Sequence, residues 1–190
     1  MLSRSLRVAS VFALACWLAA DARAADVQLK GLHLCCANCV SILESALGEV
    51  TGVSKVTVDR GAASAEFKTT GPDVTAKALA AVGKAGLYAA VVVDGKPSAF
   101  PQEAVKAGAT AERIVFEQVH LCCRACTNGV VRALEKDDAL GIIECNQKDH
   151  TVVIAAKGGS TLDLAKIQAA LNKAGYHAKL KSEPAAEPKK

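Results

Sequence analysis

Read along the chain from residue 25, apolar and polar residues change their period in a regular order. Val27 to Leu34 is a β-rich run that leads into a group of cysteines. From Cys39 onward Val40, Leu43, Leu47 and Val50 recur at helical spacing, and Gly52 closes that helix. Val53 to Asp59 alternates as a strand with Val56 and Val58 on one face, Gly61 marks a hairpin, and Ala63 to Phe67 returns as a third strand. Pro72 suits the first turn of a second helix, which the pattern carries to about Ala85 before Gly86 stops it. Tyr88 to Val93 reads as the last strand. The order β-α-β-β-α-β predicts an α+β unit, a four-stranded antiparallel sheet with both helices on one face.

The same pattern comes round again. Leu32-His33-Leu34-Cys35-Cys36-Ala37-Asn38-Cys39 recurs as Val119-His120-Leu121-Cys122-Cys123-Arg124-Ala125-Cys126, a shift of 87 residues from Leu32 to Val119. At that shift Val27 and Leu29 fall on Ile114 and Phe116, and Val58-Asp59 on Cys145-Asn146. Lys84-Ala85-Gly86 is echoed by Lys173-Ala174-Gly175. The chain is therefore expected to be a tandem duplication, with one domain over residues 25–94 and a second over 113–181. In the second, the middle hairpin turns around Lys148-Asp149 and the second helix spans Leu162 to Ala174. Residues 95–112, with Pro97, Pro101 and Gly108, read as a linker, and 182–190 as a disordered tail.

Composition narrows the picture in three places. A net charge of +4 over 190 residues, with 4% aromatic residues, is no basic footprint for nucleic acid. Arg4 and Arg7, the apolar run Val8 to Ala20 and Ala22-Arg23-Ala24 predict a removed export signal over residues 1–24. The run is too short for a membrane span, which needs about 20 residues. The protein is thus expected in the periplasm or cell envelope, with lipid attachment at Cys16 as the alternative. Leaving Cys16 aside, seven of the 8 cysteines remain, an odd number, and six of them sit in two tight groups. That distribution suits ligands better than a disulfide framework.

Cys36 and Cys39, like Cys123 and Cys126, lie three apart at a strand-to-helix junction, so both sulfurs of a pair can converge on one point. A helix N-terminus favours the thiolate, and thiolates select soft ions such as Cu(I) and Zn(II) over Mg or Ca. Arg124 adds positive charge beside the second pair, and Cys35 and Cys122 give each loop a third thiol. His33 and His120 are further candidate ligands, against the alternative that rings on a strand point elsewhere. Cys145 is expected to be a buried, inert thiol, His150 and His177 surface residues, and Tyr176 a core residue or a cover for the metal loop.

With a Cys-x-x-Cys between first strand and first helix of a β-α-β-β-α-β unit, both copies resemble the heavy-metal-associated domain. That ferredoxin-like fold occurs in copper chaperones, in the N-terminal repeats of copper pumps and in the periplasmic mercuric-ion binding protein. The resemblance implies metal thiolates at Cys36, Cys39, Cys123 and Cys126. The apolar residue two before the first ligand is Leu34 or Leu121, and the Gly-Tyr after the second helix is kept as Gly175-Tyr176 but replaced by Gly86-Leu87. The copies depart from the family in having His33 or His120 in place of a Gly, Cys35 or Cys122 directly before the first ligand, and Gly31 and Gln118 at places in the first strand that are normally apolar.

The sequence carries no catalytic signature, neither a Ser-His-Asp pattern nor a Walker loop nor paired carboxylates, so a binder is expected and not an enzyme. The expected role is sequestration or hand-over of a soft metal ion. Cu(I) is the first choice, Hg(II), Zn(II) and Cd(II) the others, and a metal-transporting or metal-receiving protein the partner. The alternatives are a periplasmic thiol-disulfide protein and an interaction module that binds no metal.

Overall fold

The structure, a computed structural model, describes residues 24–181. The expected export signal up to residue 23, Cys16 within it, and the tail 182–190 lie outside the described residues. The first half runs β1 (Ala25–Lys30), α1 (Ala37–Gly48), β2 (Val53–Asp59), β3 (Ser64–Thr69), α2 (Pro72–Lys84), β4 (Ala90–Val93) and β5 (Lys96–Ser98). Its strands form one antiparallel sheet in the order β2-β3-β1-β4-β5. The second half runs β6 (Thr110–Ala111), β7 (Arg113–Glu117), α3 (Arg124–Leu134), β8 (Leu140–Asn146), β9 (Thr151–Ala156), β10 (Leu162–Asp163), α4 (Leu164–Lys173) and β11 (Lys179–Leu180). Here β11-β7-β9-β8 make an antiparallel sheet whose order matches β4-β1-β3-β2, and β6 pairs with β10 beside it.

Alternation decides which side of each sheet meets the helices. In β1, Ala25, Val27 and Leu29 are buried while Asp26 and Lys30 face outward, and in β7 Ile114 and Phe116 take the same inward positions. Helix α1 starts two residues before the expected start at Cys39. Its buried stripe is Cys39, Leu43 and Leu47, whereas Val40 and Val50 are half-buried. The spacing i, i+4, i+8 makes Cys39 itself an apolar position of the helix, and Cys126, Val130 and Leu134 repeat this in α3. The buried residues of both halves join in one continuous core.

Four expectations are corrected. Residues 95–112 are not a bare linker: β5 adds a fifth strand to the first sheet, and β6 pairs with β10. Pro97 hid β5 from a pattern reading, because proline lacks the N–H of a ladder, but an edge strand tolerates it. The rest is stitched down by Gln168, whose Oε1 accepts from Val105 N–H and whose Nε2 donates to the carbonyls of Glu103 and Ala178. Gly31 and Gln118 lie just past the ends of β1 and β7, in left-handed conformation with φ of 77° and 57°, so they turn the chain and need no apolar side chain. His177 is buried, not on the surface, because Phe100 from residues 95–112 and Gly83 of α2 cover its ring. His150 is exposed as expected, and Cys145 is half-buried, not fully enclosed.

The halves contact each other reciprocally where α2 and α4 end. Both helices close in a Schellman motif. Gly86 N–H donates to Gly83 O and Leu87 N–H to Val82 O; in α4, Gly175 N–H donates to Asn172 O and Tyr176 N–H to Leu171 O. Gly86 and Gly175 take φ of +79° and +84°. Each then receives the other half: His177 and His120 N–H both donate to Gly86 O (3.0 and 3.1 Å), and Tyr88 N–H donates to Gly175 O (3.0 Å). Leu87 and Tyr176 pair as an antiparallel bridge between them.

Candidate metal centre

Cys36 and Cys123 are the N-cap residues of α1 and α3, held in extended backbone conformation, so Cys39 and Cys126 fall on the first turn. The starts of α1 and α3 come close enough for the two cysteine groups to meet. Cys36 Sγ lies 3.5 Å from Cys39 Sγ, and Cys123 Sγ 3.7 Å from Cys126 Sγ. The distances across the halves are similar: Cys39 to Cys122 and Cys35 to Cys126 are each 3.5 Å, Cys35 to Cys123 3.7 Å, Cys36 to Cys122 3.8 Å and Cys39 to Cys126 4.0 Å. Cys35 to Cys39 and Cys122 to Cys126, at 3.6 Å, complete the set. Cys39 and Cys126 form its buried floor, Cys35 is exposed, and Cys36, Cys122 and Cys123 form a half-exposed rim. All six are free thiols.

The thiols are not alike. The backbone N–H of Cys39, at the positive end of α1, holds the Cys36 thiol down at about 6. Cys126 N–H lowers Cys123 in the same way. Burial pushes Cys122 up to about 12 and raises Cys126 further, since a second thiolate among these sulfurs would be both desolvated and repelled. One thiol of each group is therefore primed as a thiolate, while burial keeps Cys122 and Cys126 protonated until a cation arrives. Iodoacetamide at pH 7 is expected to modify Cys36 and Cys123 first and Cys126 last, with Cys145, raised by burial, also slow. Peptide mass mapping over time checks this, and early labelling of Cys126 would contradict it.

The two histidines complete the surroundings, and their tautomers follow from their partners. Ala85 O can only accept, so the His120 Nδ1 that meets it at 3.1 Å carries the proton. That leaves His120 Nε2, buried and without a hydrogen-bond partner, with a lone pair to offer. A ring nitrogen of His120 lies within 4.8 Å of the sulfurs of Cys39, Cys122 and Cys126. Nδ1–H to a backbone carbonyl with Nε2 free is the arrangement that usually orients a metal-ligating histidine. On the other side, the single proton of the Tyr176 hydroxyl goes to Cys126 O at 2.8 Å, so the hydroxyl must accept from His33 Nε2–H at 2.9 Å. This leaves the lone pair on His33 Nδ1, and His33 stands within 4.8 Å of the Cys35 and Cys126 sulfurs. Burial, then the neighbouring His120, hold His33 down at about 4, and burial lowers His120 as well, so both rings are neutral at pH 7.

All eight residues singled out from the sequence thus come to one place: Cys35, Cys36, Cys39, Cys122, Cys123, Cys126, His33 and His120. The sequence sets them in two groups 87 residues apart, and the structure makes one neighbourhood of them. Neither histidine sits on a strand; both lie in the loops between strand and helix. Tyr176 does cover the metal loop, stacked on His33 with ring centroids 4.3 Å apart. Gly129, inside α3, was passed over. A Cβ there would meet Tyr176 Oη at 2.1 Å and His33 Cε1 at 2.9 Å, and a glycine in a helix interior was the available signal.

Residues 27–86 match the model of the heavy-metal-associated domain. Among solved structures, the chain is similar to the solution structure of the N-terminal soluble domains of Bacillus subtilis CopA, at 19% identity over 86% of this chain and 98% of that one, with a TM-score of 0.32. That superposition is too loose to argue from. No curated protein matches the chain. With the thiol pair Cys36 and Cys39 at the head of α1 and the strand and helix order found around it, residues 27–86 are similar to a heavy-metal-associated domain.

Proposed function

We propose that this is an exported metal-binding protein, not an enzyme, that sequesters a soft ion, Cu(I) above the others, or hands it to a metal-receiving partner. The observation that carries the reading is the gathering of six free thiols in one place, with two already biased toward thiolate. Such a donor set prefers Cu(I) to harder ions. The exposed Cys35 and the half-exposed rim leave sulfurs that an incoming partner thiol can replace one at a time, which is the chemistry of hand-over. Export is supported by the basic start, the short apolar run and Ala22-Arg23-Ala24. The descent of both halves from one duplicated unit is supported by the 87-residue shift from Leu32 to Val119 and by the shared strand order. No described helix is long and apolar enough to cross a membrane.

The test is anaerobic titration of the mature protein with Cu(I) held by a competing chelator. Uptake that disappears when all six cluster cysteines become Ser is the expected result. No uptake, with the six thiols closing into disulfides under oxidising buffer, would overturn it in favour of the thiol-disulfide reading.

A further inference from the structure

The two cysteine groups stand far apart in the sequence, yet their sulfurs do not sort by group. Joining the sulfurs that lie 3.5–4.0 Å apart closes four triangles: Cys35-Cys39-Cys126, Cys39-Cys122-Cys126, Cys35-Cys123-Cys126 and Cys36-Cys39-Cys122. Every one draws sulfurs from both halves. An ion centred in a triangle of such edges lies at the edge divided by √3, about 2.1 Å from each sulfur, close to the ~2.3 Å of ordinary metal–thiolate bonds. Neighbouring triangles share edges, so the shared sulfurs must bridge, and the sulfurs must spread as ions enter, because the centres of edge-sharing triangles start only about 2 Å apart. Cys39 and Cys126 each belong to three triangles, and these are the two fully buried thiols.

The N-termini of α1 and α3, at whose heads the two groups stand, favour the thiolates that metal binding creates. Independently of the sulfurs, buried His120 has an unpartnered Nε2, and a nitrogen of its ring lies within 4.8 Å of the sulfurs of the central triangle Cys39-Cys122-Cys126.

We infer that the two motifs form one composite site, in which six bridging cysteines from both halves hold a cluster of about four Cu(I) ions. The inference rests on the metal-binding reading above and goes beyond it in nuclearity and in joining the halves. Loading is a ligand exchange: each thiol releases its proton to solvent as it binds, and no electron is transferred.

The experiment compares the wild-type protein with Cys35→Ser and with Cys122→Ser, each titrated anaerobically with Cu(I) against a chelator and read by metal analysis of the desalted protein. Far-ultraviolet circular dichroism controls for folding. Cys35 is exposed and outside both Cys-x-x-Cys pairs, so its loss leaves two independent sites intact. The composite cluster loses two of its four triangles in either variant. The expected result is about four ions in the wild type, about half of that in each variant, and ultraviolet-excited luminescence from shielded Cu(I)–thiolate bridges that weakens in both. A wild-type capacity of two that Cys35→Ser leaves unchanged overturns the composite site while the metal-binding reading stands. No retained Cu(I) in the wild type overturns both.

Discussion

Replacing Gly86 by Ala is expected to cost more than about 3 kcal/mol of folding stability, one of the larger effects a single methyl group can have. Its φ of +79° charges any L side chain about 1–2 kcal/mol, and the new Cβ would lie 2.3 Å from His120 N and 2.7 Å from Val119 C. Those atoms are backbone and cannot rotate aside. Gly175 stands in the same relation to the first half, with His33 N at 2.4 Å and Gly31 O at 2.6 Å, so Gly175→Ala should behave alike. Gly95 supplies the comparison: its φ is +76° but nothing lies within 4 Å of its Cβ position, so Gly95→Ala should lose only the conformational part. Guanidinium unfolding of the three variants checks this. Equal losses at Gly86 and Gly95 would mean that the close crossing of the two halves is wrong. Because the clashing backbone leads straight into Cys35 and Cys122, both tight variants should also take up less metal.

Metal should act as strongly in the opposite direction. Ligand that binds only the folded chain stabilises it by about 4 kcal/mol when its free concentration is a thousand times its dissociation constant. The sulfurs here are assembled from segments 83–91 residues apart, so the folded geometry is lost on unfolding. Thermal unfolding with and without Cu(I), under argon, should show a large upward shift that a strong Cu(I) chelator reverses. The variant with six Ser substitutions should show none. The shift will be smaller by whatever affinity the loose thiols of the unfolded chain retain. A midpoint that metal leaves unmoved would contradict an assembled thiolate site.

The parts of this structure that a pattern could reveal are those governed by local rules. The span of β2 from Val53 to Asp59, Pro72 at the start of α2 and the stop at Gly86 follow from alternation, fixed proline φ and glycine's tolerance of the left-handed region. The candidate ligands were legible for the same reason, since adjacent cysteines at a strand-to-helix junction are a local signal. Relations between distant segments were not. Nothing in the spacing of Cys35 to Cys39 says that Cys122 will come within 3.5 Å of Cys39. His177 seemed a surface residue because its cover, Phe100, comes from a stretch that lacks periodicity. Pro97 argued against a strand although it sits on an edge. Tyr176 was ambiguous from sequence because its two hydrogen-bond partners, His33 and Cys126, lie 143 and 50 residues away.

The reciprocal crossing at Gly86 and Gly175 has a consequence for dilution. Two identical small domains that met in this way as separate molecules would assemble only above their dissociation constant. Here residues 95–112 keep the second half beside the first, and a short tether of this kind acts like a partner concentration in the millimolar range. Closure of the sulfur cage is therefore a first-order event, indifferent to how little of the protein is present. Such a scavenger would keep its affinity at trace abundance, where a chaperone dependent on pairing two chains would fall apart.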